Sequence, residues 1–251
     1  MTALNVAEKD RSEPLDSPSL EARLIAQYGD LEPLDLVEAM IAREFAGRIA
    51  VLSSFGAEAA VLLDLVAQVD RHTPILFIDT LRHFPETLRY VDTLMTHLGL
   101  TNLVRIGPDP QDAERRDPIG DLCRREHDAC CTMRKVEPLQ RALEGYDAWI
   151  TGRKRYHGAL RADLPKIEHS RGRIKINPIA DWDGERIDQV FEERKLPRHP
   201  MVEDGFLSIA CMSCTTRPAP GEGVRSGRWA GTGKTECGIH FATIPEKKTE
   251  A

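Results

Sequence analysis

Four of the six cysteines fall into two close pairs, the adjacent Cys130-Cys131 and the turn Cys211-x-x-Cys214. A CxxC turn can set two sulfurs on one metal centre. Adjacent cysteines are less usual for tetrahedral zinc, because neighbouring side chains on a helix diverge by about 100°. A cubane iron–sulfur cluster, with its wider span, tolerates that divergence, and four cysteine ligands are its ordinary arrangement. A structural four-cysteine zinc site and unrelated buried cysteines are the alternatives. Cys237 stands apart, in Lys234-Thr235-Glu236-Cys237-Gly238-Ile239-His240, with no partner at metal spacing. Lys234 and His240 would favour its thiolate and Glu236 would oppose it. A lone thiol on a flexible tail suits a nucleophile that visits two partners in turn; an idle cysteine is the plain alternative. Cys123 lies in charged surroundings and reads as incidental.

These residues need a scaffold, and the hydropathy pattern supplies one. Apolar spacing is helical from Leu20 to Ala46, interrupted near Gly29-Asp30 and Pro33. A short buried strand follows at residues 48–53, then a helix at 57–69 with Val61, Leu62, Leu65, Val66 and Val69 on one face. The alternation continues with a strand at 74–78, a helix at 84–98 closed by Gly99, and a strand at 103–106. Residues 132–143 read as helical, with Pro138 either kinking the helix or starting a new segment. A fourth strand is expected at 148–151, another strand end at 174–176, and a helix from Asp183 to Lys195 with Asp183 as N-cap. Short apolar strands alternating with amphipathic helices predict an α/β fold: a mostly parallel sheet with helices on both faces. Beyond Pro197 the chain is rich in Gly and Pro and carries three of the six cysteines. The expected organisation is a disordered leader at 1–18, an α/β domain at 19–200 that includes the Cys-Cys pair, and a loop-rich C-terminal segment at 201–251 with the CxxC and Cys237.

In a parallel sheet, ligands bind at the carboxyl ends of the strands. Three loops fall there. Ser53-Ser54-Phe55-Gly56-Ala57-Glu58 offers two hydroxyls, a glycine and the free N–H groups of the next helix to an anion, although an ordinary capped turn has the same look. Asp79 and Thr80 open the second loop, where Asp79 could face a ribose or base or simply cap a turn. Thr151-Gly152-Arg153-Lys154-Arg155 forms the third; Arg153 and Arg155 read equally well as solvated surface charges.

Composition narrows the function. With 34 Lys+Arg against 40 Asp+Glu, the formal net charge is −6, which argues against binding a nucleic acid polymer but leaves room for a local anion pocket. No apolar run is long enough to span a membrane, and the acidic, polar N-terminus does not read as a secretory signal. A cytoplasmic location is expected.

The residues quoted so far match a known pattern. From about Leu52 to His240 the chain resembles the assimilatory adenylyl-sulfate reductases, the iron–sulfur branch of the phosphoadenylyl-sulfate reductase family. The resemblance is carried by the Ser53–Glu58 loop, Asp79-Thr80 with Phe84-Pro85-Glu86-Thr87, and Cys130-Cys131 with Arg134-Lys135-Val136-Glu137-Pro138-Leu139. Cys211-x-x-Cys214, Gly227-Arg228-Trp229 and Glu236-Cys237-Gly238-Ile239-His240 complete it. The double cysteine pair with the terminal segment is highly specific; the first loop alone is not.

The resemblance implies an adenine nucleotide α-hydrolase-like fold with a modified PP-loop. It implies adenosine 5′-phosphosulfate as substrate, sulfite and AMP as products, and thioredoxin as transient reductant. Cys130, Cys131, Cys211 and Cys214 would hold one [4Fe-4S] cluster that supports substrate binding electrostatically, and Cys237 would be the nucleophile. Ser53, Ser54, Gly56, Asp79, Thr80, His127, Lys135, Arg161, Arg225, Arg228 and His240 are the expected substrate contacts. Two departures bear on those contacts: Tyr156-His157-Gly158 replaces the usual Asp/Glu-Gln-Ser, and the aromatic stretch before the catalytic segment is reduced to Trp229. The alternatives are the 3′-phosphorylated nucleotide as substrate, a PP-loop ATPase for cluster-dependent tRNA thiolation, and a zinc-structured binding module. The ATPase is disfavoured by the net charge and by the lack of Gly-Gly in the first loop. A homo-oligomer is left open.

Overall fold

The computed structural model describes residues 18–240; the expected leader lies outside them apart from Pro18. Two helices open the fold, α1 (Pro18–Tyr28) and α2 (Pro33–Glu38), and a π-helical turn over Ala39–Glu44 leads into β1 (Ile49–Ser53). Then come α3 (Ala59–Val69), β2 (Ile75–Ile78), α4 (Pro85–Leu98) and β3 (Leu103–Ile106). Three short helices follow, α5 (Pro110–Arg116), α6 (Leu122–Arg125) and α7 (His127–Cys131). A second π-turn (Thr132–Val136) passes without a break into α8 (Glu137–Leu143), which carries Pro138. Pro138 therefore starts no new segment: it lies inside one helical run from His127 to Leu143, directly after the π-turn. The chain then forms β4 (Ala148–Thr151), β5 (Ile167–Ser170), β6 (Arg173–Ile176) and α9 (Gly184–Glu193).

One six-stranded sheet has the order β3-β2-β1-β4-β6-β5. Every pairing is parallel except β5 with β6. Strands β1, β2 and β4 are buried along their whole length, as unbroken apolar runs covered on both faces must be. One face carries Val51, Phe77 and Ile150 under α3 and α4; the other carries Leu52, Leu76 and Trp149 against Leu139 and Leu143 of α8. Gly99 ends α4 at φ 65°, a left-handed cap that releases the chain toward β3. The Asp183 carboxylate accepts from the Arg186 N–H at 2.8 Å, capping α9 as expected.

The sequence did not disclose α5, α6 and α7, or β5. Helix α5 has no buried residue, so it carries no apolar stripe to read. Strand β5 buries only Ile167 and Ser170 fully and exists as the antiparallel partner of β6. After α9 the described chain forms only short 3-10 turns, at Pro200–Val202 and Met212–Cys214. No helix among the described residues is long and apolar enough to cross a membrane.

Candidate active site

Strand order reverses at β1: the chain steps to β2 and β3 on one side, and β4 fills the other. Loops leaving β1 and β4 therefore diverge and open a crevice at the carboxyl edge. A cleft of about 200 Å³ lies there, floored by Ser53, Ser54, Gly56, Thr80, Thr151 and Gly152. Phe55 takes φ 47°, an uncommon left-handed conformation for a large residue; its ring is wholly buried against Phe77 at 5.3 Å, and its N–H donates to the Ser53 hydroxyl at 3.2 Å. Gly56 is needed for a close approach. A Cβ there would stand 2.9 Å from the Ile209 carbonyl oxygen, where the C-terminal segment crosses the loop.

Glu58 ties the two loops together. Lys154 pairs with it at 2.6 Å, His157 lies at 3.2 Å, and the Tyr156 hydroxyl donates to its other oxygen. Burial works against its ionisation, but the bonds from His157 and Lys154 win and hold the carboxyl far below its usual range.

The opposite wall is the C-terminal segment. Around the cleft stand six cations, Lys135, Arg153, Lys154, Arg161, Arg225 and Arg228, against two carboxylates, Glu58 and Glu236. That is an excess of four positive charges in a chain with a net charge of −6. Arg161 grips Glu236 through two bonds, Nε to Oε1 at 2.5 Å and Nη2 to Oε2 at 3.0 Å, with Arg225 beside them at 3.5 Å. Lys135 and Arg228 have no carboxylate partner among the described residues. Arg228 donates to the Cys214 carbonyl at 3.1 Å and lies 4.5 Å over the Trp229 ring. Burial pushes Arg225 down to about 10.

Cys237 is half-buried in this wall and packs against Cys211, Cys214 and Trp229. Lys135 lines both the cleft and a second, smaller cavity. That second cavity is lined by Cys130, Cys131, Cys211 and Cys214, together with Cys123, His127, Arg82 and Arg134. Burial pushes the Cys130 thiol up to about 11 and Cys131 up to about 12. Cys211 moves the other way: burial is outweighed by the Lys135 charge and by a 3.3 Å contact with the Thr80 hydroxyl. Among the described residues no three His, Cys, Asp or Glu side chains converge closely enough to hold a single metal ion.

Of the residues singled out from the sequence, the structure places Ser53, Ser54, Gly56, Thr80, Lys135, Arg161, Arg225, Arg228, Cys237 and His240 in the cleft. It does not bring Asp79 there. Asp79 accepts from the Leu81 N–H at 3.0 Å and faces Arg105 at 3.9 Å, so it serves as the turn residue that was its plainer reading. His127 lines the cysteine cavity instead of the cleft. Cys123 is not incidental in position, since it is buried on that same cavity. Arg153 is buried in the cleft, whereas Arg155 is an exposed partner of Asp181.

The charges around Cys237 also differ from expectation. Glu236 is neutralised by Arg161. Lys234 pairs with Asp128 of α7. His240 is half-buried, stacked on Trp149 at 6.0 Å, and desolvation, with the Lys175 charge next, keeps it neutral and far below its usual range. It brings no cation to the thiol. Sequence reasoning missed Glu58, Arg153, Lys154 and His157 as cleft residues. Glu58 stood in the quoted loop, but nothing local says that its carboxylate turns toward the loop after β4.

A curated relative from Chelativorans sp. strain BNC1, named adenosine 5'-phosphosulfate reductase, is 47% identical over 92% of this chain and 95% of its own length. One from Mesorhizobium japonicum with the same name is 46% identical over 92% of this chain and 91% of its own. The crystal structure of a phosphoadenylyl-sulfate reductase from Candida auris, in complex with phosphate, superposes with a TM-score of 0.67 at 27% identity, covering 80% of this chain and 98% of that one. The phosphoadenosine phosphosulfate reductase domain matches residues 48–217, more than half of the sequence, and the chain belongs to that family.

Proposed function

We propose that this chain reduces adenosine 5′-phosphosulfate to sulfite and AMP, as an oxidoreductase of sulfate assimilation, with Cys237 as nucleophile. One observation carries the reading: a thiol stands in the wall of a nucleotide-edge cleft that holds an excess of four positive charges, beside a cavity lined by four paired cysteines. The choice of the unphosphorylated nucleotide follows the names of the relatives at 46% and 47% identity over nearly the whole chain.

In this reading the β1 and β4 loops seat the nucleotide, and Lys135 and Arg228 face its phosphosulfate. These two cations have no carboxylate to leave, so they meet the anion without breaking an ion pair. The Cys237 thiolate attacks the sulfate sulfur. The sulfur–oxygen bond to the phosphate breaks, AMP leaves with the electron pair, and an S-sulfocysteine remains. Cations beside the departing phosphate stabilise the charge that develops there. A thiolate of reduced thioredoxin then attacks the Cys237 sulfur and expels sulfite; its second thiol closes the thioredoxin disulfide and frees Cys237. The two electrons come from the thioredoxin dithiol. A cytoplasmic setting, where thiols stay reduced, fits this chemistry.

Cys130, Cys131, Cys211 and Cys214 fit as the ligands of one [4Fe-4S] cluster. They come from two distant segments onto one cavity, all buried, and four cysteine thiolates are the ordinary ligand set of such a cluster. Bound there, the cluster supplies a fixed charge distribution behind Lys135. The organisation we propose keeps residues 19–200 as the nucleotide-binding unit and 201–251 as the segment that brings the CxxC and Cys237 to its edge.

The test mixes holoenzyme with adenosine 5′-phosphosulfate and no reductant. Intact mass rises by about 80 Da, the mass of one sulfonate group, as expected of a covalent adduct. Peptide mapping places it on Cys237, and reduced thioredoxin removes it. An adduct on Cys123, or none, overturns the reading. Equal or higher kcat/KM on the 3′-phosphorylated nucleotide overturns the choice of substrate.

A further inference from the structure

Beside the packing of Ile239 and the stacking of His240 on Trp149, the Cys237 segment is held at the sheet edge by three arginines. Arg225 donates to the Thr235 carbonyl at 3.0 Å, and Arg171 donates to the Gly238 carbonyl at 2.9 Å. Between these two backbone contacts lies one side chain with a charge of its own, Glu236, gripped by the Arg161 fork at 2.5 and 3.0 Å. Glu236 is only 6% exposed and Arg161 only 7%. Arg161 is itself set by the chain after β4, since its Nη1 lies 3.2 Å from the His157 ring nitrogen and His157 in turn faces Glu58.

We propose that Glu236 is the positioning residue of the nucleophile: its carboxylate, locked on Arg161, fixes the backbone next to Cys237 and so aims the thiol into the cleft. This rests on the reading of Cys237 as nucleophile. It gives Arg161 a different use from the substrate contact expected of it. A fork already filled by a buried carboxylate turns to a substrate anion only by giving up both bonds to Glu236 and leaving it to the longer 3.5 Å contact with Arg225, which is unfavourable for a buried charge. Lys135 and Arg228 carry no such commitment. A two-point carboxylate–guanidinium contact fixes direction as well as distance, which a single backbone bond does not. Glu236 is therefore not the charge that opposes the Cys237 thiolate; its charge is spent on Arg161.

The experiment compares wild-type, Glu236→Gln and Arg161→Lys holoenzymes, each first checked for full iron content. Both variants keep the dissociation constant of AMP within about twofold, because neither group holds the nucleotide. Both lower the rate of Cys237 adduct formation at saturating adenosine 5′-phosphosulfate by roughly a hundredfold, the scale of a small misplacement of a reacting atom. The double variant is no slower than either single one, because both remove one contact. Without nucleotide, neutral iodoacetamide labels Cys237 severalfold faster in both variants, because the segment no longer docks.

Each contrary result overturns the proposal. Weakened AMP binding in Arg161→Lys with a silent Glu236→Gln makes Arg161 a substrate contact. Tighter AMP binding in Glu236→Gln makes Glu236 a competing anion. Unchanged labelling means the fork does not dock the segment. Absence of any adduct in wild type strikes the proposed reaction instead, and the labelling comparison still decides the docking.

Discussion

The two walls of the cleft are built on different principles. The β1 and β4 loops leave buried parallel strands whose register is fixed, Leu52 opposite Thr151, and Glu58 clamps the loops to each other with Lys154. The facing wall, residues 207–240, has one 3-10 turn among its described elements. It is held by side chains reaching from elsewhere: Arg161 to Glu236, Arg171 to Gly238, and Ile239 packed against the apolar face of the sheet. The first wall is set by hydrophobic burial and is stiff. The second depends on a few polar contacts, each of which can be cut singly. A nucleotide needs the first kind of wall. On the proposed mechanism, a thiol that meets a nucleotide and then thioredoxin is better carried by the second.

The sharpest way to break this division is at Cys237. Cys237→Ser lowers turnover by at least about a thousandfold, since a serine hydroxyl at neutral pH is a poor nucleophile and cannot exchange with a thiol. The stiff wall is untouched, so AMP binding, read by calorimetry, stays within about twofold. Cys211→Ser tests the cysteine cavity beside it. It lowers iron content and activity together by roughly tenfold or more, because one lost ligand weakens a whole centre. Iron and sulfide analysis beside turnover checks it; full iron with full turnover removes Cys211 from the ligand set.

The same division governs what the sequence could disclose. Strands β1 to β4 and helices α3, α4 and α9 were legible because burial on one face or both leaves a period in the residue types. The two cysteine pairs were legible as a group, and the structure brings both onto one cavity. The placing of Asp79 in the cleft failed because a strand-end Asp looks the same whether it caps a turn or faces a ligand. The joining of Glu58 to Lys154 and of Arg161 to Glu236 was not legible at all. The members of each pair lie far apart in the chain, and side-chain pairing at that range has no periodicity. Cys123 was passed over because its neighbours in sequence are charged, although its neighbours in space are cysteines.

Lys135 stands where the stiff wall, the cysteine cavity and the thiol wall meet, and its loss should be felt mainly at the transition state. Burial works to lower it, but the sulfurs of Cys211, Cys237 and Cys131 overcome this and hold the ammonium charged. Lys135→Met keeps much of the volume and removes the charge. It lowers kcat/KM roughly a hundredfold, about 3 kcal/mol, the scale of one lost donor at a developing anion. Steady-state kinetics check it. A loss confined to KM would make Lys135 a uniform binding contact.

A separate test lies where the two constructions join. His199 begins the C-terminal segment and is fully buried against α4. Its Nδ1 accepts from the Met201 N–H at 3.2 Å, so the proton sits on Nε2 and goes to the Thr87 hydroxyl at 3.0 Å, with the Tyr90 ring at 4.8 Å. Burial holds its pKa down to about 4, below the ordinary 6.5. A histidine kept neutral in the folded state and free to protonate in the unfolded one stabilises the fold fully above pH 6.5, and that contribution is lost as pH falls toward 4. The difference of about 2.5 pH units corresponds to roughly 3 kcal/mol. Urea unfolding at a series of pH values should show wild type losing stability through this window and His199→Asn losing less. If the two curves run parallel, His199 is not the acid-sensitive joint, and the start of the C-terminal segment is held by apolar packing, like the stiff wall.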